Sequence, residues 1–163
     1  MLTTEAAVPP RDDMQDLAAR IRAYLDMGDQ RAVRMPLGGG LFDVVISGSG
    51  THSAAMVAAM DEVQLGACGP VIADPDRGWL YWLVPPGTTA RWEPHTYGVC
   101  VGAPHILTLP PLARDVPPGP YWLRPCVSDR LVPPNPLRDL LERFRPMPTP
   151  HESIAAALGF PAL

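Results

Sequence analysis

The sequence predicts a single domain of the α/β (α+β) class, two-layered, with helices packed on a mainly antiparallel sheet. Three observations predict it. Apolar residues recur at helical spacing near the start, in the first half and near the end of the chain, and short apolar runs bounded by turn residues fill the middle. At 163 residues the chain also suits one sizeable core and not two. The expected organisation is a flexible N-terminal tail over residues 1–10, the domain over residues 11–146, and a C-terminal extension with a short helix over residues 147–163.

Residues 11–26 read as an amphipathic helix, because Met14, Leu17, Ala18, Ile21 and Leu25 recur at three- and four-residue steps, with Asp12 or Asp13 as a cap and Gly28 as its end. Gly38-Gly39-Gly40 leads into residues 41–46, a mostly apolar strand of the buried kind. Ser47-Gly48-Ser49-Gly50 follows. Thr51 is then placed to cap an alanine- and methionine-rich helix reaching about Gln64, which Gly66 and Gly69-Pro70 terminate. Residues 70–73 and 79–84 flank Asp74-Pro75-Asp76-Arg77-Gly78 and read as a hairpin with a long turn. Residues 97–101 and 105–109 are expected to pair around Gly102-Ala103-Pro104, and residues 121–123 form a further short strand. A last helix spans about Pro136 to Arg143, with proline suited to its first turn, and residues 151–158 suggest a terminal helical turn.

Proline punctuates this scheme. Its 22 copies include Pro9-Pro10, Pro85-Pro86, Pro110-Pro111, Pro117-Pro118 and Pro133-Pro134, and consecutive prolines fit neither helix interiors nor central strands. Hydrophobic residues at 47% and charged residues at 18% are near globular averages, so the composition is that of a folding core. All 13 basic residues are arginine, which with the alanine, proline and glycine bias points to a GC-rich, actinobacterial type of genome. A net charge of −4 argues against a free-standing nonspecific DNA binder, although a local arginine patch remains open. No apolar run approaches the roughly twenty residues that span a bilayer, and the N-terminus lacks the pattern of a secretory signal. No membrane contact is expected, and the cytoplasm is the expected location.

Several constellations carry possible chemistry, each beside a plainer reading. Ser47, Ser49, Gly50 and Thr51 lie between a strand and a helix, where backbone amides can hold an anion, yet the loop lacks a Walker A lysine and a dinucleotide glycine pattern. An ordinary capped turn is the plainer account. His95, Cys100, His105 and Cys126 are imaginable zinc ligands, but their spacing matches no ribbon or finger, and buried thiols are simpler. Gly48-Ser49-Gly50 falls short of a nucleophile elbow. Asp61-Glu62 are helix neighbours that point apart, and Asp74 with Asp76 has turn chemistry. Trp79 and Tyr81 share one strand face and Trp82 the other. An outward aromatic face flanked by Arg77, Arg91 and Arg124 would stack bases or grip a protein, with burial beneath a helix as the alternative.

Residues 35–123 resemble the bifunctional primase-polymerase (Prim-Pol) domain of the archaeo-eukaryotic primase superfamily. The run Leu37-Gly38-Gly39-Gly40-Leu41-Phe42-Asp43-Val44-Val45 is similar to that family's glycine-led first core strand. Arg77-Gly78-Trp79-Leu80-Tyr81-Trp82-Leu83-Val84-Pro85-Pro86-Gly87 is similar to its turn and apolar strand. His105-Ile106-Leu107-Thr108-Leu109-Pro110-Pro111 and Tyr121-Trp122-Leu123 are similar to the segment near its end. The resemblance implies a Prim-Pol/RRM-like core.

The departures bear on activity. In the active family two carboxylates close the first strand, a histidine follows the second motif's turn, and an aspartate lies on a later strand. Here Ser47, Gly48 and Ser49 follow Ile46, Trp79 follows Gly78, and the later strand reads Gly98-Val99-Cys100-Val101. Asp43 falls too early to replace a catalytic carboxylate. Two-metal nucleotidyl transfer needs carboxylates that hold the ions. The expectation is therefore a non-catalytic Prim-Pol-like binding or regulatory domain with no catalytic residues, metal or cofactor, contacting nucleotides or nucleic acid through Arg77, Trp79, Tyr81, Arg91 and Arg124. The alternative is a protein–protein interaction or accessory module unrelated to nucleic acid. An enzyme using Asp43, His52 or His105 ranks third.

Overall fold

The computed structural model describes residues 19–23, 31–38, 40–125 and 130–148. Within the helix expected over residues 11–26, residues 19–23 are described and are helical (α1). The expected tail, the terminal helical turn and Cys126 lie outside the described residues.

The elements that follow are β1 (Val33–Pro36), β2 (Asp43–Gly48), α2 (Thr51–Val63), β3 (Val71–Asp74), β4 (Trp79–Val84), α3 (Thr88–Arg91), β5 (Val99–Val101), β6 (Ile106–Leu109), β7 (Tyr121–Arg124) and α4 (Pro134–Phe144). Five strands form one sheet in the order β5-β2-β4-β3-β7, and β1 with β6 forms a separate two-stranded ribbon. Every pairing is antiparallel. The α+β class and mainly antiparallel sheet are those the sequence predicts.

Alternation along the strands divides the core in two. Val44 and Ile46 of β2, with Trp79, Tyr81 and Leu83 of β4, pack on one side against Met35 of the ribbon's β1, Leu107 and Leu109 of its β6, and Ile21 of α1. Val45, Leu80, Trp82 and Val84 pack on the other side against α2 and α4. The ribbon thus adds a layer beyond the two read from the sequence. All six residues of β2 and all six of β4 are buried, as strands covered on both faces must be.

The two helices on the sheet follow from their spacing. In α2, Ser53, Met56, Val57 and Met60 are the buried residues, three, four and seven positions from the first. In α4, Leu137, Leu140 and Leu141 do the same work, and Pro134 occupies the first turn, where its missing N–H has no intrahelical partner to lose. The hairpin of β3 and β4 forms as expected, with Asp74 opposite Trp79 and the turn closed by the Gly78 amide on the Asp74 carbonyl (2.9 Å).

Some expectations are corrected. Residues 97–101 and 105–109 do not pair with each other: β5 joins β2 in the large sheet, while β6 joins β1 in the ribbon. Gly102 to His105 thus carries the chain between layers and does not close a hairpin. Thr51 is the first residue of α2 and not its cap; the cap position is Gly50, with φ 133°, and no side chain bonds there. Among the described residues, no helix is long and apolar enough to cross a membrane.

Candidate functional site

At the carboxyl end of β2 the chain leaves the sheet through Ser49 and Gly50 and enters α2. Other segments close on that point. The Ser49 amide donates to the Gly78 carbonyl of the β3–β4 turn (2.8 Å). Ser53 Oγ donates back to the Gly48 carbonyl, and His52 Nδ1 lies 3.5 Å from the Arg145 carbonyl. Residues 145–148, beyond α4, run across Gly48 so closely that a β-carbon there would sit 2.7 Å from the Met147 carbonyl oxygen. Only glycine fits that crossing.

Clefts open on either side of this knot. One, of about 570 Å3, is lined by Gly48, Ser49, Arg77, Gly78, Trp79 and the Met147-Pro148 strap. Another, of about 430 Å3, is lined on its far side by His52, Tyr97 and Arg145. Ser49 borders both. The second cleft is also lined by Gly50 and Thr51, the start of a 13-residue helix with glycine at its cap, no side-chain cap and no acidic residue in its first turn. The first amides of a helix lack intrahelical acceptors and carry its positive partial charge, so an anion is favoured here. Arg77 and Arg145 edge the clefts, both with exposed side chains. Each already has a carboxylate neighbour: Arg77 bonds Asp74 at 3.1 Å, and Arg145 stands 3.8 Å from Glu142.

Of the anion-loop residues expected from sequence, Ser49, Gly50 and Thr51 line the second cleft and Ser49 alone the first. Ser47 does not belong to them. It is buried within β2, where its Oγ accepts the Trp82 indole N–H (2.9 Å). Sequence reading missed Arg145 and Tyr97, which chain folding brings to the site from beyond α4 and from the segment before β5. Neither carries a local motif that could have marked it.

Trp79 and Tyr81 do not form an outward aromatic face, since both face the ribbon and are 7% and 3% exposed, and of the two only Trp79 borders a cleft, beside Arg77. The Tyr81 hydroxyl donates to buried Asp74 Oδ2 (2.7 Å), and burial, followed by that carboxylate, pushes its pKa up. The arginines are scattered too. Arg77 precedes β4 and Arg91 follows it, with a six-residue strand of roughly 20 Å between them. Arg124 lies on β7 with its guanidinium clamped to Asp61 of α2, through Nε to Oδ1 (3.0 Å) and Nη2 to Oδ2 (2.7 Å).

The other chemistry-bearing residues stand apart. Asp43 Oδ2 accepts from the amide (2.9 Å) and hydroxyl (2.7 Å) of Thr89, at the sheet end opposite Asp74. Cys100 faces the same threonine hydroxyl, while His95 packs near α4 and His105 bonds locally to the Gly102 carbonyl. Burial pushes the Cys68 and Cys100 thiols up to about 12, leaving both protonated near neutrality. Among the described residues, no three His, Cys, Asp or Glu side chains gather to hold a metal ion.

No family model matches this chain, and neither a curated protein nor a solved structure matches it.

Proposed function

We propose that the protein is a non-catalytic, Prim-Pol-like binding domain that takes a phosphate-bearing ligand, a nucleotide or single-stranded nucleic acid, over residues 48–52. The observation that carries this reading is the uncapped start of α2, which lines the cleft edged by Arg145, while Arg77 edges the neighbouring cleft that shares Ser49. The connectivity supports it as well. From β2 to β5 the chain runs β-α-β-β-α-β with strands ordered β5-β2-β4-β3, the strand order of a split β-α-β arrangement, with the four-residue α3 in the place of its second helix. The non-catalytic part rests on Asp43 and Asp74. They occupy opposite ends of the sheet, each engaged by its own hydrogen-bond donors, and so do not form a two-metal pair.

The test is titration of the protein with labelled single-stranded DNA, and with nucleotides plus magnesium or manganese, at low and physiological salt. Saturable, salt-sensitive binding without primer synthesis is expected, weakened about tenfold in Arg145→Gln if one charge-assisted phosphate contact of roughly 1.5 kcal/mol is lost. Absence of binding even at low salt would end this reading. The protein-docking alternative has one observation in its favour, the exposure of Leu65 (93%) and Val63 (48%) at the end of α2.

A further inference from the structure

Residues 92–98 fold back on themselves before β5. The Trp92 indole N–H donates to the Gly98 carbonyl (3.2 Å), and His95 is enclosed between the Trp92 and Tyr97 rings, whose centroids lie 6.4 and 6.0 Å from its own. Helix α4 backs the segment. Arg138 stacks over Trp92 at 5.0 Å and donates to the Glu93 carbonyl (2.8 Å), while Leu141 packs so close to Gly98 that a β-carbon there would meet Leu141 Cδ1 at 2.5 Å.

The protonation state of His95 follows from its partners. Its Nδ1 accepts the Tyr97 amide hydrogen (3.1 Å), so in the neutral ring the single proton sits on Nε2. Nε2 is buried without a hydrogen-bond partner, and the nearest carboxylate oxygen, Glu142 Oε1, is 3.7 Å away. A second proton can go only to Nδ1. There it would set one N–H against another across the contact that tethers Tyr97.

We propose that His95 is a proton-operated latch: neutral, it holds residues 92–98 closed against α4; protonated, it turns out towards Glu142 and frees Tyr97. Because Tyr97 walls the cleft beside Arg145, release would reshape that cleft. This consequence for ligand rests on the phosphate-binding reading, whereas the latch itself does not. The charged groups facing His95 are Arg138 and Glu142, both from α4. Burial first, and then Arg138, lower its pKa, while Glu142 raises it. The closed form therefore has its full advantage above the ordinary imidazole range and loses it as pH falls through that range towards the lowered value.

Amide exchange of Tyr97 and nitrogen-detected NMR of the His95 ring, both without ligand, test the latch. The ring should carry its proton on Nε2 at neutral pH. Once the intrinsic pH effect on exchange is removed, opening at Tyr97 should rise by up to tenfold per pH unit below about 6.5. His95→Asn supplies an oxygen acceptor that does not titrate and should flatten that response. Glu142→Gln, at an exposed position, should move the His95 midpoint further down even if the asparagine variant fails to fold. A proton on Nδ1 at neutral pH, pH-independent opening at Tyr97, the same pH response in His95→Asn, or an unmoved midpoint in Glu142→Gln would overturn the proposal. These readouts are independent of nucleotide titration, so failure of either hypothesis is visible separately.

Discussion

Gly69 is confined by backbone. A β-carbon there would lie 2.8 Å from both the Leu131 carbonyl carbon and the Val132 nitrogen, and the Val132 amide is itself bonded to the Leu83 carbonyl of β4 (2.8 Å). Neither side can retreat without breaking a sheet-anchored contact. Gly69→Ala is therefore expected to destabilise by about 1–3 kcal/mol, the usual penalty of overpacking. Urea unfolding checks this; an unchanged midpoint would mean that residues 130–132 shift at little cost. Two buried carboxylates act at the same scale. Asp43 and Asp74 are each 2% exposed and each hold a hydroxyl donor, Thr89 and Tyr81 respectively. Such groups fasten neighbouring elements together. The sequence did not reveal these bonds, whose partners lie 46 and seven residues away.

Between elements, the Asp61–Arg124 pair ties α2 to the edge strand β7, and the Cys68 amide adds a bond to Asp61 Oδ1 (2.9 Å). The Arg124 hydrogen bond holds the Asp61 carboxyl below its ordinary value, against the opposing effect of burial. Its folded pKa is depressed, so its stabilisation is fully present above the unfolded value near 3.8 and is lost as pH falls through the folded value. Asp61→Asn should thus lower stability by about 1 kcal/mol near neutrality, a figure set by the pair's partial exposure, and this gap should close in acid. Denaturation of both proteins across that range would show it. A gap that persists unchanged well below the carboxylate range would assign the loss to packing and not to charge. Elements such as α2, α4 and the β3–β4 hairpin were legible because their cues are local: three- and four-residue apolar steps, a proline at a helix start, and turn residues between apolar runs. The pairing of β5 and β6 was not. Proximity in sequence suggested a hairpin, but their partners are β2 and β1, tens of residues earlier.

At the scale of the whole molecule, the uniformly apolar Trp79–Val84 strand is covered on both faces, where an outward aromatic face had been one expectation, and this fits a run that lacks the polar alternation of a sheet with one wet face. What supplies the second cover, the β1–β6 ribbon, depends on a pairing between residues seventy or more positions apart and could not be read locally. That closure also bears on the proposed phosphate contact. Both sheet faces are occupied, the net charge is −4, and neither Arg91 nor Arg124 lines the clefts beside α2. Among the described residues, the arginines that line these clefts are Arg77 and Arg145. Single-stranded nucleic acid gives a log–log salt slope of about −0.7 for each phosphate neutralised, so two arginines predict a slope of about −1.4. Binding constants measured over a series of salt concentrations give that slope directly. A value several times steeper would require a broad basic surface and displace the α2 cleft as the site, while a slope near zero would remove phosphate from the recognition altogether.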